Sequence, residues 1–472
     1  MLHIQLDRSA NHPPYYLQIV QQIRDRILEG DLPAQISLTP SRQLALELNI
    51  SRQTVVNAYE ELCAQGYCSS KVGSGTVVLD IGRVKAIAPS QNDRKLPQWL
   101  AWDVSETSDR KILPSLQQPM ISFESGLAQT DGLPLKAMEK AFREVIRTAG
   151  TSFAEYKRNN GHPGLLEAIC RLVLPNRGIQ ATPEQLFITN GSLHSSFLLA
   201  ELLSPYAKTI SYGVPGYLSI PRKFTNKGIA GLPCTVDLAG INLTQDARQA
   251  SLHYVMPEHH FPEGVTLSPE RRADLLQLAQ QNDALILEDD YDSEFYCNRH
   301  PLPALKAIDS DRRVIYLGTF SKILFNGLRV GYIVAHPTIV QKLLDLRWQI
   351  EGGTSIITQL WLTELLDSGV VERHLRRMRV SHRKKRNLIA NYLQEYFPDW
   401  QWRLPAGGLH FWIQLPPEQK ATEVIQQFQQ RGIELFSGAE YCQDRDSQKY
   451  LVLGFGAVTE ADIHQGFARV MD

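Results

Sequence analysis

Residues 284–334 read ALILEDDYDSEFYCNRHPLPALKAIDSDRRVIYLGTFSKILFNGLRVGYIV. Three apolar runs lie in this stretch, each bordered by polar or glycine residues: 285–287 before Glu288–Tyr291, 314–317 before Gly318–Lys322, and 330–335 after Arg329. Short apolar runs with such borders predict buried strands. Because open α/β sheets bind ligands at the carboxyl ends of their strands, the polar residues predict a binding crevice.

The composition predicts an ordinary globular protein. The chain has 472 residues, is 43% hydrophobic and 21% charged, and has a net charge of −1, so the length fits two to four domains and the charge favours neither nucleic acid nor membrane. Six scattered cysteines without a C-x-x-C pair argue against a metal site and a disulfide scaffold. Asp7 and Arg8 stand where a signal peptide needs apolar residues, so a cytoplasmic location is expected.

The first eighty residues predict a winged helix-turn-helix. A helix with apolar positions between Tyr16 and Ile27 ends at Gly30, Ser41 is expected to cap a second helix, and Ser51 a third. A strand, a glycine turn and a strand are expected at 71–78. The alternative is a small helical interaction domain, which the charge supports: residues 1–80 hold six Arg or Lys against eight Asp or Glu, a net of −2.

Several motifs in this segment resemble the winged-helix DNA-binding domain of the GntR family: Tyr16–Ile19, Ser41–Ala45, Ser51–Val55, Ala58-Tyr59 and Gly73–Thr76. Gln35 and Leu38-Thr39-Pro40 depart from the family pattern in the loop before the second helix. In a winged helix the second helix of the motif enters the major groove N-terminus first. The residues expected to contact double-stranded DNA are Ser41, Arg42, Ser51, Arg52, Gln53, Thr54, Lys71 and Gly73.

The rest of the chain divides by composition and periodicity. Residues 81–119 mix Pro, Gln, Ser and charged residues and predict a linker after the 1–80 domain. From 120 to 364, strands alternate with amphipathic helices, which predicts a mostly parallel sheet flanked by helices. Residues 365–472 are expected to form a smaller α+β lobe. Within that lobe, the basic run Arg373–Arg386 suggests either a second nucleic-acid patch or a solvated helix face, and we favour the solvated face.

A phosphate site, an acid and a lysine occur in the large domain. Thr189–Leu193 joins a strand to a helix whose free amides suit a phosphate, although an ordinary turn is an equal alternative. A buried Asp289 would keep a ring nitrogen protonated, and a shielded Lys322 would form a Schiff base with an aldehyde. Taken singly, each residue fits a solvated surface position. Taken together, they match the needs of pyridoxal 5′-phosphate (PLP).

The order of motifs in this domain resembles the fold-type I aminotransferases. The matching positions are Gly191-Ser192, Pro215-Gly216-Tyr217, Pro257–Gly264, Glu288–Asp292, Gly318–Lys322 and Arg329. The sequences EDDYDSEF at 288–295 and GTFSK at 318–322 are similar to the MocR subfamily, in which a GntR winged helix is fused to an aminotransferase-like domain. The resemblance implies a multidomain protein: a winged helix-turn-helix, then an α/β PLP-dependent transferase-like domain with a C-terminal α+β lobe.

The resemblance also implies roles for single residues. Lys322 would form the Schiff base with PLP, Asp289 would pair with the pyridine nitrogen, Tyr291 would meet the ring hydroxyl, and Tyr217 would stack on the ring. The phosphate would be bound by Gly191, Ser192, Thr319, Ser321 and Arg329. Tyr156 is similar to the tyrosine that reaches the phosphate of the partner subunit, which implies a homodimer.

Two departures from the family pattern bear on function. His260 stands where an amide is usual near the ring, and Val452 stands where aminotransferases place the arginine that holds the substrate carboxylate. An apolar side chain cannot replace a guanidinium–carboxylate pair. The favoured hypothesis is therefore a PLP-dependent DNA-binding transcriptional regulator that senses PLP and controls vitamin B6 metabolism. The alternatives are a regulator that responds to an amino acid or amine through an external aldimine, and an active PLP aminotransferase.

Overall fold

The computed structural model describes residues 4–9, 12–71, 75–81, 120–151, 159–297, 300–442 and 448–471. The chain forms two compact units, Met1–Lys111 and Ile112–Asp472. In the described part of the chain, no helix is long and apolar enough to cross a membrane. The predicted domain boundaries at residues 80, 119 and 364 remain predictions.

The first unit contains three helices and a two-stranded antiparallel sheet. Its elements are α1 (Tyr15–Glu29), α2 (Ser41–Leu48), α3 (Arg52–Ala64), β1 (Cys68–Lys71) and β2 (Gly75–Val78). Ile23, Leu44 and Val55, one from each helix, are fully buried in the core of this unit. The predicted order of helices and hairpin is confirmed, but the first strand begins at Cys68, before the predicted 71–78 segment.

One predicted helix cap is wrong. Ser41 is the first residue of α2, and the residue that precedes the helix is Pro40, whose carbonyl accepts a hydrogen bond from the Leu44 amide at 3.0 Å. A serine inside the first turn does not cap in this way, because the capping residue must stand in an extended conformation just before the helix. Ser51 does cap α3, since its hydroxyl accepts from the Thr54 amide at 3.1 Å.

The second unit is built from two lobes. The larger lobe has the helices α4 (Leu135–Ala149), α5 (Pro163–Ala168), α6 (Ser192–Leu203), α7 (Pro221–Thr225), α8 (Pro269–Gln281), α9 (Pro337–Ile350) and α10 (Ile356–Asp367). Its strands are β4 (Leu186–Thr189), β5 (Thr209–Val214), β6 (Ala230–Asp237), β7 (Gly240–Asn242), β8 (Leu252–Val255), β9 (Leu285–Asp290), β10 (Val314–Thr319) and β11 (Gly331–Val334).

These eight strands form one sheet in the order β4-β11-β10-β9-β8-β5-β6-β7. The pairs from β10 through β6 are parallel, while β11 and β7 run against their neighbours. Every residue of β4, β8, β10 and β11 is buried, which explains their continuous apolar sequences, because helices cover both faces of such a sheet. The predicted mostly parallel sheet is confirmed.

The smaller lobe follows the long helix α11 (Val370–Tyr396). Its other elements, with one strand from the start of the unit, are β3 (Ile121–Ser122), β12 (Gln401–Trp402), β13 (His410–Gln414), α12 (Ala421–Gln430), β14 (Ile433–Glu434), β15 (Phe436–Ser437), β16 (Tyr450–Gly454) and α13 (Glu460–Met471). The sheet of this lobe has the order β12-β13-β16-β15, and a separate parallel pair joins β14 to β3. The segment at 121–123 thus packs in the core of the smaller lobe, where Phe123 is buried.

Candidate functional site

The carboxyl end of β9 separates three neighbouring acids. Successive side chains of a strand point to opposite faces, so Glu288 and Asp290 lie on one face and Asp289 on the other. Glu288 accepts hydrogen bonds from two backbone amides at 2.8 Å each, and Asp290 accepts from the Arg177 guanidinium at 2.6 Å. Asp289 lines a cavity of about 260 Å³ at the strand ends. Two of the acids therefore have structural partners, and the third faces the cavity.

Asp289 is buried with an incomplete set of partners. The Tyr254 hydroxyl donates to its Oδ2 at 2.8 Å, while its Oδ1 has no hydrogen-bond partner among the described residues. Burial is the main cause that raises the pKa of Asp289, to about 7. A buried carboxylate oxygen in this state suits a cationic N–H donor in the cavity, as a protonated pyridine nitrogen would be.

Lys322 enters the same cavity from the carboxyl end of β10. Its Nζ donates a hydrogen bond to the carbonyl of Gly126. Burial lowers the pKa of Lys322 against the opposing effect of Asp292 and Asp289. A lowered pKa increases the fraction of neutral amine, which is the form that attacks an aldehyde.

The start of α6 and Arg329 form an anion cradle. Gly191, at φ 98°, precedes the helix, and a Cβ on it would lie 3.1 Å from the Arg329 guanidinium. That guanidinium donates to the Asn190 carbonyl at 2.7 Å. Free helix amides beside a fixed guanidinium suit a phosphate.

The structure brings most of the predicted cofactor residues together. Those that line the cavity are Ser192, Tyr217, Asp289, Tyr291, Thr319, Ser321, Lys322 and Arg329. Gly191 lies directly against Arg329 at its edge. Tyr156 is outside the described residues. The individual roles remain predictions, although the position of these side chains in one cavity fits PLP.

Sequence analysis missed part of the cavity wall. The additional lining residues are Ser125, Gly126, Leu193, Met256, Phe261, Asn326, Leu409, His410 and Tyr441. The Oδ1 of Asn326 and the Oγ of Ser321 are buried without a hydrogen-bond partner in the described part of the chain, so both are available to a bound molecule. These residues come from six separate segments of the chain, and only Leu193 and Phe261 fall in motifs that the sequence analysis named.

His260 does not occupy the predicted position. Its Nε2 donates to the Pro215 carbonyl at 2.8 Å, and its ring packs against Gly213, where a Cβ would lie only 2.4 Å from it. The next residue, Phe261, lines the cavity instead. Burial lowers the pKa of His260 to about 4, so this histidine is a neutral structural contact.

Val452 is part of the protein core. It lies in β16 between Trp412 and Phe436 on the neighbouring strands and is fully buried in an apolar cluster. Among the described residues that line the cavity, Arg329 carries the only guanidinium. Among the described residues that line the cavity, the Lys and Arg side chains are therefore Lys322 at the strand end and Arg329 at the phosphate cradle, and Val452 adds no cation.

The predicted DNA-binding residues lie at the starts of α2 and α3. Arg42, Ser51, Arg52 and Gln53 are exposed, whereas Ser41 and Thr54 are half-buried. Gln53 donates to the Asn57 side chain at 2.8 Å, which fixes it along the helix. Gly73 and the side chain of Lys71 lie outside the described residues. The first turn of α3 thus presents polar groups to solvent, as a recognition helix requires.

Comparisons with known proteins agree with both units. The family model described as "Bacterial regulatory proteins, gntR family" matches residues 15–78, and that of "Aminotransferase class I and II" matches residues 118–465. The chain is therefore a helix-turn-helix protein with an aminotransferase-type domain. It belongs to the MocR subfamily of GntR-family transcriptional regulators, as the motifs predicted.

Two curated relatives and one solved structure illustrate this membership. The chain is 31% identical to the probable rhizopine catabolism regulatory protein MocR of Rhizobium meliloti, over 84% of this chain and 80% of that protein. It is 30% identical to the HTH-type pyridoxine biosynthesis transcriptional regulator PdxR of Corynebacterium glutamicum, over 96% and 95%. The Pyrococcus horikoshii kynurenine aminotransferase, solved in complex with PMP, has a TM-score of 0.69 at 25% identity, over 75% of this chain and 90% of that chain.

Proposed function

We propose that this protein is a transcriptional regulator whose DNA affinity depends on PLP held at Lys322, and that it controls genes of vitamin B6 synthesis or salvage. The observation that carries the proposal is that the cavity has groups suited to a cofactor but, among the described residues, lacks the arginine that would hold an amino-acid carboxylate. The partnerless Oδ1 of Asp289 and the Arg329 cradle suit a pyridine ring and a phosphate, while Val452 is buried where an amino-acid carboxylate would need a cation. The likeness to PdxR supports the choice of target genes.

The cavity residues have distinct proposed tasks. PLP would supply an aldehyde that condenses with an amine, and Lys322 is the amine. Asp289 would keep the ring nitrogen protonated, Tyr291 would contact the ring hydroxyl, and Tyr217 would stack on the ring. The phosphate would be held by Gly191, Ser192, Thr319, Ser321 and Arg329. We further propose a homodimer in which Tyr156 reaches the phosphate site of the partner subunit.

The segment at 120–131 is the part of the second unit through which the cavity would act on the predicted linker. It follows the predicted linker in the chain, and its Gly126 carbonyl accepts the hydrogen bond from Lys322. The segment is attached to the smaller lobe, because the Gly454 amide donates to the Phe123 carbonyl at 2.8 Å and Lys385 donates to Gln129 at 2.7 Å. PLP would engage the Lys322 amine, so the hydrogen bond from its Nζ to the Gly126 carbonyl is the contact through which this segment would respond to occupancy of the cavity.

PLP aminotransferase activity is a second candidate, and the likeness to the kynurenine aminotransferase favours it. Lys322 and Asp289 would serve catalysis as well as sensing. The buried Val452 counts against it, because a transaminase must hold its amino-acid substrate while the proton moves. A regulator that binds an amine without a carboxylate would not need a cation at position 452.

The decisive experiment titrates PLP into the purified apoprotein while following the Schiff-base absorbance and the binding of its own upstream DNA. We expect the absorbance and the DNA affinity to change together, with one apparent dissociation constant. If the Schiff-base absorbance saturated while the DNA affinity stayed constant, the proposal that the protein senses PLP would be wrong.

A further inference from the structure

We propose that an exposed row of cations on α11 is a second DNA-contact surface, which binds the phosphate backbone of duplex DNA. This α11 row consists of Arg373, Arg376, Arg377, Arg383 and Lys384. The inference rests on the proposed function for one point, which is that the protein binds duplex DNA. It replaces the interpretation of the basic run Arg373–Arg386 as a solvated helix face.

The structure divides the eight basic residues of that run into two groups. Three of them turn inward to structural partners. Arg379 donates to the Glu294 carbonyl at 2.8 Å and lies over the Tyr296 ring, Lys385 binds Gln129, and Arg386 donates to the Pro405 carbonyl at 2.7 Å. These three hold α11 against the rest of the second unit, so their charge is already in use.

The five residues of the α11 row are all exposed and share one face. At about 100° per residue they fall within an arc of about 120°, and at 1.5 Å per residue they span about 16 Å of helix. Val380, which is 55% exposed, lies in the middle of that arc. A row of this length faces roughly nine or ten phosphate charges of a duplex, which carries one charge per about 1.7 Å.

The α11 row lacks the acidic partners that a solvated helix face usually has. None of its five residues forms an ion pair with an acid in the described part of the chain. The neighbouring Glu372 lies 3.8 Å from the inward-turned Arg379. Arg373 donates a hydrogen bond to the Ser368 carbonyl at 3.1 Å, although it stands in the first turn of α11, where the helix dipole disfavours a cation. The row therefore contributes no ion pair to the described part of the fold, and an external anion would explain its charge better.

Charge complementarity points to DNA as that anion. The residues of the winged-helix segment, 1–80, carry a net charge of −2, whereas the electrostatic attraction of DNA normally comes from Lys and Arg. The helix starts that are expected to face DNA offer two exposed cations, Arg42 and Arg52. The α11 row would add five more for contacts with the phosphate backbone.

The test replaces all five residues of the row with Gln and measures the affinity of the PLP-loaded full chain for its upstream DNA across a salt series. We expect at least a tenfold loss of affinity near physiological salt. The slope of log K against log salt should flatten by about 0.9 for each lost phosphate contact. A second variant with Lys at the four arginine positions keeps the charge and should keep most of the slope.

A matched control replaces five exposed cations elsewhere with Gln: Lys136, Lys140, Lys208, Arg222 and Lys342. It changes the net charge equally, so equal losses in the two variants would overturn the proposal. An unchanged salt slope in the row variant would also overturn it, even if the row bound anionic vesicles. The Schiff-base absorbance reports that each variant is folded. If Arg52→Ala abolished binding while the row variant did not change it, the α11 proposal alone would fail.

Discussion

The two sides of the cavity differ in chemistry. The side formed by the strand ends and the start of α6 is polar, with Asp289, Lys322 and Arg329. The opposite side is mainly apolar or aromatic and includes Met256, Phe261, Leu409 and Tyr441. Val452 belongs to the apolar cluster that also contains Phe261. The first side has what a cofactor needs, while the second lacks a cation among the described residues. The difference teaches that the groups that bind a cofactor and the group that binds an amino-acid carboxylate are separate parts of such a cavity.

Removing the amine should have the largest effect on the polar side. In Lys322→Ala we expect complete loss of the Schiff-base absorbance on PLP addition, because no bond to the aldehyde can form at this position. Lys342→Ala, on an exposed helix face, should retain the full absorbance. If Lys322→Ala kept the absorbance band, the assignment of the polar side to the cofactor would be wrong.

A charge placed at Val452, behind the apolar side, should destabilise the protein. Because Val452 is fully buried, Val452→Arg should lower the free energy of unfolding by about 3 kcal/mol or more. Val452→Ala, which only leaves a small cavity, should cost about 1–2 kcal/mol. Denaturant unfolding of the apoproteins measures both. A stable Val452→Arg protein that rapidly transaminated an amino acid would instead show that this one side chain separates sensor from enzyme.

Asp289→Asn should separate cofactor affinity from stability. Loss of a charge-assisted hydrogen bond to the ring nitrogen should weaken PLP binding about 10- to 100-fold, as measured by absorbance titration.

Although Asp289→Asn should weaken PLP binding, it should stabilise the apoprotein at high pH. Burial raises the pKa of Asp289 to about 7 from a usual 3.8, so the folded chain keeps a proton that the unfolded chain releases. The contribution of this carboxyl to stability is therefore present below pH 4 and is lost as pH rises to 7. Asp289→Asn should melt a few degrees higher than the unsubstituted chain at pH 8, with little difference at pH 4. Equal melting temperatures at pH 8 would contradict this account of the buried acid.

The smallest effect is expected at the segment 120–131, which follows the predicted linker and contacts Lys322 through Gly126. Gln129→Ala removes the contact between this segment and Lys385, while leaving Lys322 and Asp289 in place. PLP affinity should change less than threefold, and the PLP-dependent change in DNA affinity should shrink severalfold. If Gln129→Ala kept the full PLP-dependent change in DNA affinity, the contact between Gln129 and Lys385 would play no part in linking the cavity to DNA binding.

Local patterns predicted the fold better than the cavity wall. Apolar runs and caps such as Ser51 predicted strands and helices, because these depend on neighbours in the chain. The acids of β9 were found for the same reason. By contrast, Gly126 meets Lys322 across 196 positions and Tyr254 meets Asp289 across 35, and no periodicity reports such contacts. His260 does not line the cavity, and its contact with the Pro215 carbonyl, 45 positions away, could not be inferred from the motif alone.

The central claim is that the cavity senses its cofactor without processing amino acids. The most direct test adds a panel of amino acids, and amines that lack a carboxylate, to the PLP-loaded protein while recording its absorbance. We predict that the Schiff-base band persists with every amino acid on the time scale of minutes. Rapid conversion of that band to the pyridoxamine form by any amino acid would contradict the claim and identify the protein as a working aminotransferase.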